Sequence, residues 1–165
     1  MDIDQARQDI LSWIENFVER PNANLNGWPP CPYARRARLD NMIDIRSGTV
    51  EPYTDLRLIE MQHHDVIVLV YDAQEFDGAD FDHQVHQANL AFLAGKDMIA
   101  MADHPAVREE VNGVCMNQGQ WALVFVQRLS QLNRDARILA SKDFYQGWSE
   151  DYLAELFRGR EDPRQ

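Results

Sequence analysis

One thiol stands out by its neighbours. Cys31 lies in the run Trp28-Pro29-Pro30-Cys31-Pro32-Tyr33-Ala34-Arg35-Arg36. Proline suits a first helical position, where its missing N–H costs nothing and its φ is already helical. The run therefore predicts a short helix from Pro32 to about Arg38 with Cys31 as its N-cap. A thiol there meets the positive end of the helix dipole and unpaired backbone N–H groups. Arg35 and Arg36, one turn on, add positive charge. Together these favour thiolate, the form that acts as nucleophile or redox centre. Burial works the other way: cysteine is among the most buried residue types, and a Cys31 packed under Trp28 and Tyr33 would be inert.

A second group of polar residues sits where an apolar run gives way to a helical pattern, at Val126-Gln127-Arg128-Leu129-Ser130. Strand-to-helix junctions in α/β sheets are common ligand sites. Arg128 has the fork geometry to clamp a carboxylate or phosphate, with Gln127 beside it, or to pair with one of the chain's many acids. His104, in Asp103-His104-Pro105, is a candidate proton carrier or a plain loop residue. His83 and His86 are three apart and share a helix face. With a third ligand they would hold a divalent metal, and without one they line a polar helix surface beside Gln84 and Gln87. No other cofactor is expected, because no glycine-rich phosphate loop, nucleophile elbow or zinc-ribbon cysteine set occurs.

These groups need elements to position them. Helical spacing of Ile10, Ile14, Phe17 and Val18 predicts a first helix over 4–19, stopped by Pro21. Strands are expected from Met42 to near Gly48 and at 66–71, 98–101 and 121–126. The second, Val66-Ile67-Val68-Leu69-Val70-Tyr71, is apolar on both faces and so central. Helices are expected at 53–63, at 79–95 with Gly95 as C-cap, at 129–140 and at 149–158. A short helical turn should open at Pro105, and Asn112-Gly113 should make a tight turn. The expected fold is one α+β domain spanning 1–165: a two-layer sandwich with a mixed four-stranded sheet and helices packed on it.

Charge narrows the partners. The chain carries 27 acids and 16 bases, a net charge of −11. Residues 40–110 hold 15 of those acids and four of the bases, while the remainder balances at 12 against 12. Nucleic acid and anionic membrane both require a basic footprint, so neither is an expected partner. No apolar run approaches the ~18 residues of a membrane span, and no signal peptide is recognisable at the N-terminus. A cytoplasmic location is expected, with Cys31 and Cys115 reduced. A homodimer is the default oligomer.

The stretch Trp28-Pro29-Pro30-Cys31-Pro32-Tyr33-Ala34-Arg35, with Asp103-His104-Pro105, Asn112-Gly113 and Phe125-Val126-Gln127-Arg128-Leu129, resembles a family of small uncharacterised proteins from marine cyanobacteria and their phages. More distantly, the N-terminal helix with Trp13, followed by Cys31-Pro32-Tyr33-Ala34, is similar to a bacterial family of unknown function carrying Leu-Cys-Pro-Phe-Ala. The resemblance implies no activity. It places Cys31, His104, Gln127 and Arg128 within motif positions.

Two function classes follow. In the first, the protein is a small enzyme or small-molecule-binding protein. Cys31 is its reactive centre, Arg35 stabilises the thiolate and His104 moves a proton. Arg128 and Gln127, with Trp28 and Tyr33, hold an anionic polar ligand. This class requires Cys31, His104 and Arg128 to converge on one pocket. In the second, the protein is a non-enzymatic accessory protein whose acidic segment meets a basic protein partner and whose Cys31 is structural.

Overall fold

The computed structural model describes residues 1–165. The first helix, α1 (Ile3–Trp13), opens on Asp2, whose carboxylate accepts hydrogen bonds from the N–H groups of Asp4 and Gln5. It runs on through a π-helical turn at Ile14–Val18 and stops at Pro21, which has no N–H to continue the ladder. Residues 20–33 are irregular apart from one 3-10 turn at Ala23–Leu25. The chain then forms α2 (Ala34–Leu39), β1 (Ile43–Ser47), α3 (Pro52–Arg57) and β2 (Val66–Tyr71). Next come α4 (Gly78–Ala88), extended by a π turn at Asn89–Leu93, and β3 (Met98–Asp103). The remainder holds β4 (Glu110–Val111), β5 (Val114–Cys115), β6 (Ala122–Arg128), α5 (Leu129–Ser141) and α6 (Glu150–Leu156).

The four long strands form one mixed sheet in the order β1-β2-β6-β3. β1 runs parallel to β2, and β6 is inserted antiparallel between β2 and β3. β2 and β6 are therefore central; β2 is almost wholly buried, as its unbroken apolar run requires, and β6 is buried over most of its length up to Val126. The expected α+β sandwich with a mixed four-stranded sheet is what forms, and its helices are shared between both faces of the sheet. On one face, Leu56 of α3 and Phe81, Val85 and Ala88 of α4 pack on Ile67, Leu69, Val124 and Val126. On the other, Ala6, Ile10 and Ile14 pack on Ile45, Val68, Val70 and Leu123.

A third cluster joins the chain's irregular and C-terminal parts. Leu25 and the hairpin residues Val111 and Val114 pack with Leu139, Phe144, Tyr145, Trp148, Leu153 and Phe157. The β4–β5 hairpin turns at Asn112 and Gly113, with φ of 51° and 80°, as the Asn-Gly pair predicts.

Several boundaries differ from the sequence expectation. The helix expected over 53–63 ends at Arg57, because Leu58–Gln62 must turn the chain into β2 and Gln62 is left-handed at φ 52°. Gly95 is not a C-cap: the helical stretch runs to Lys96, and Asp97 takes the left-handed position at φ 55°. At Pro105 there is only a turn, closed by Val107 N–H donating to the His104 carbonyl at 2.9 Å. No helix is long and apolar enough to cross a membrane.

Candidate functional site

The structure puts Cys31 one turn ahead of α2 rather than at its N-cap. Tyr33 holds the cap position, and its side chain makes no capping bond. The Ala34 N–H instead returns to the Cys31 carbonyl at 3.2 Å, closing a tight turn through Pro32 and Tyr33. The Cys31 N–H donates to the Val18 carbonyl at 3.0 Å and fastens this turn to the end of the first helix. Trp28 packs edge-on against Phe144, 5.6 Å between ring centroids, so the Trp-Pro-Pro-Cys run forms part of the third cluster.

This setting decides the state of the thiol. Burial pushes Cys31 up from the ordinary thiol range, and the nearby Asp135 carboxylate pushes the same way. The N–H groups of Tyr33 and Ala34 pull it down, as a capping position would, but burial outweighs them. No arginine contributes to the balance. Arg36 turns to Asp40 at 2.9 Å, and the charge of Arg35 acts on Glu19. Cys31 is thus held as a thiol by the third cluster, with Tyr33 largely at the surface and Tyr145 and Asp135 nearby.

His104 is 5% exposed and both ring nitrogens are engaged. Nδ1 accepts from the Ala106 N–H at 3.1 Å, so Nε2 carries the proton and donates to the carbonyls of Ala73 and Phe76, each at 3.1 Å. The imidazole therefore ties the loop after β2 to the loop after β3 and leaves no nitrogen for a substrate.

Arg128 sits at the other end of the sheet. Its register partner across β3 is Met98, whereas His104 follows Asp103 at the far end of that strand. The two are separated by six residues of extended chain, about 20 Å. Cys31, His104 and Arg128 do not converge on one pocket. Nor is the β6–α5 junction at the carboxyl ends of the parallel strands. β6 runs against its neighbours, so its last residue lies where β2 and β3 begin. Gln127, half-buried beside it, pairs in register with Val66 and Ile99.

Arg128 nonetheless lines an open cleft of about 390 Å³ at this edge. Its two terminal nitrogens donate to the carbonyls of Gln62 at 2.5 Å and His64 at 2.8 Å, which fixes the guanidinium against the loop before β2. Ile59, Met61 and Met98 form the apolar floor, and Glu60, Lys96 and Asp97 complete the wall. Asp97 is occupied: its carboxylate accepts from the Ser130 N–H at 2.8 Å and the Ser130 hydroxyl at 2.5 Å. Lys96 and Glu60 make no ion pair or side-chain hydrogen bond.

The α4 histidines stay apart from other ligands. His83 is exposed and His86 half-buried, and no three His, Cys, Asp or Glu side chains come together as a metal site requires.

One grouping escaped the sequence reading, and another narrows the acidic segment that it gave. Asp103 is 5% exposed and accepts from Asn117 Nδ2 at 2.8 Å and the Gln118 N–H at 2.9 Å. Glu109 lies close by, and burial together with Asp103, Asp82 and Glu155 pushes its carboxyl up to about 7. Asp103-His104-Pro105 was the visible signal, but it marked the wrong member of the pair. The other grouping is an acidic surface at the carboxyl end of β2. Glu51, Asp55, Asp72, Glu75, Asp77 and Asp80 belong to α3, α4 and the connection between β2 and α4. The two helices are joined there by the Tyr53 N–H donating to Gln84, which in turn donates to Asp80. None of the eight acids between Glu51 and Asp80 has a basic side chain within ion-pair distance, and Arg57 is the only lysine or arginine in that stretch.

No protein-family model matches the chain, and neither the comparison with curated proteins nor that with solved structures finds a match.

Proposed function

We propose that this chain is a non-enzymatic acidic accessory protein that docks a basic protein partner, with Cys31 serving structure. The observation that carries the reading is the set of six acids at the carboxyl end of β2, Glu51, Asp55, Asp72, Glu75, Asp77 and Asp80, none of which forms an ion pair. Elsewhere about half of the acids are matched: Glu19 holds Arg38, Asp40 holds Arg36, Asp44 holds Arg46 and Glu110 holds Arg108. Unpaired charge concentrated on one surface raises the association rate with an oppositely charged partner and favours its docking there. The reading also accounts for the other candidates: the half-buried Cys31 thiol is pushed up from the ordinary thiol range, and His104 is spent on holding two loops.

A fluorescent deca-arginine peptide titrated against the full chain tests this. Binding should weaken steeply as salt rises, since exposed charges are screened within about 8–10 Å. Glu51→Gln, Glu75→Gln and Asp80→Asn combined should weaken it by about tenfold. Three exposed acids elsewhere, changed by Glu15→Gln, Asp143→Asn and Asp151→Asn, serve as the control. Equal weakening by both sets would reduce the effect to net charge and remove the case for a docking surface.

A further inference from the structure

The cleft at the edge of β3 and β6 carries an inference independent of the acidic surface. We infer that it binds a small zwitterion of the α-amino-acid class, with an apolar side chain.

The argument starts from charge. Arg128 has five N–H donors, and its two carbonyl partners use two of them. Neither partner is a carboxylate and Arg128 forms no ion pair, although its charge acts on the nearby Asp97; Lys96 forms no ion pair either. Two cations on one wall favour a carboxylate. Glu60 lines the same cleft with an unpaired carboxylate of its own, which favours an ammonium and opposes a ligand that is only anionic. Asp97 adds a second negative charge to the wall, with its carboxylate held in place by the Ser130 N–H and hydroxyl. A ligand carrying both charges matches this wall; one carrying either alone does not.

The remaining surface sets the rest of the molecule. Ile59, Met61 and Met98, each 6% exposed, form the apolar floor. A volume of about 390 Å³ suits a small metabolite. The rim is conformationally defined. Gln62 and Asp97, both non-glycine, stand in the left-handed region at φ 52° and 55°. Such conformations are strained for residues with a Cβ and persist where surroundings enforce them. Here Arg128 grips the Gln62 carbonyl, and Ser130 grips the Asp97 carboxylate. The guanidinium is therefore set in place before any ligand arrives, which lowers the cost of binding.

The experiment is an amide-shift titration of the ¹⁵N-labelled full chain with L-leucine, 4-methylpentanoate, which lacks the amine, and 3-methylbutylamine, which lacks the carboxylate. L-leucine should shift the amides of Met61, Asp97 and Met98, and both analogues should bind at least about tenfold more weakly. Glu60→Gln and Lys96→Ala, both at exposed positions, should each weaken leucine binding about fivefold while leaving the rest of the spectrum in place. Glu75→Gln, at the opposite end of the sheet, should bind leucine as the parent does. No leucine shift, an analogue binding as well as leucine, or unchanged affinity in Glu60→Gln and Lys96→Ala would each overturn the proposal.

Discussion

Arg38 holds the Glu19 carboxylate through two parallel hydrogen bonds, 2.9 and 2.7 Å, across nineteen residues of chain. The pair joins the end of the first helix to α2 and so closes the loop that carries Trp28, Pro30 and Cys31. Both side chains are largely covered, the glutamate at 7% exposure and the arginine at 23%. An arginine two turns beyond Cys31 thus serves the loop's closure, not the thiol's charge.

Breaking this pair should loosen that loop. Glu19→Gln leaves Arg38 without its counter-charge and should lower the Tm by roughly 3–6 °C. The Arg38 hydrogen bond holds Glu19 below the usual carboxylate range. Its contribution is therefore complete above the ordinary glutamate pKa and disappears as pH falls through the lowered folded value. Thermal melts of parent and variant should converge in acid; a constant difference down to low pH would contradict the pairing.

The two cysteines should react in a fixed order. Cys115 is exposed, whereas burial pushes the Cys31 thiol up. Iodoacetamide near neutral pH should label Cys115 at least about tenfold faster than Cys31, because the thiolate is the reacting form. Peptide mass mapping of a time course reads this directly. Preferential labelling of Cys31 would restore the activated-thiolate reading.

His104→Ala should destabilise the fold by about 2–4 kcal/mol in urea unfolding, since it empties a buried volume and orphans two carbonyls. The neighbourhood is tight as well: a Cβ added at Gly78 would lie 2.8 Å from a Val107 methyl and 3.1 Å from His104 Nδ1. Gly78→Ala should therefore lower stability, although alanine ordinarily strengthens a helix.

Glu109 should give stability an opposite pH signature. Its carboxyl is raised to about 7 by burial and by Asp103, Asp82 and Glu155. Its folded pKa exceeds the unfolded one, so its contribution is complete below the unfolded value of 4.5 and is lost as pH rises through 7. Glu109→Gln should flatten that decline and leave the variant more stable than the parent above neutrality, by up to about 3 kcal/mol. Melts at pH 5 and pH 8 compare the two.

What the residues revealed follows their range of interaction. β2 was legible to the residue because an apolar run needs no partner to be recognised, and Asn112-Gly113 because a left-handed pair encodes its own turn. Cys31 was legible as a residue at a turn, with the right N–H groups beside it. Its reactivity was not, because it depends on Phe144, Tyr145 and Asp135, more than a hundred positions away. Arg128 was legible as a residue at a strand end. That its strand runs against its neighbours, and so presents it at their starting ends, is a property of strand order alone. Asp103 and Glu109 acquire their mutual influence only when a hairpin folds back over β3.

The strand order also has a meaning for a chain that grows from one end. β2 is complete at Tyr71, but one of its two edges stays open until residues 122–128 have been made. A nascent chain can pair β1 with β2 early and must then carry a bare apolar strand edge while about fifty further residues are made. Chains cut short before Ala122 should be the sticky ones, prone to join edge to edge with one another. The last long strand to leave the ribosome is the one that fills the middle of the sheet.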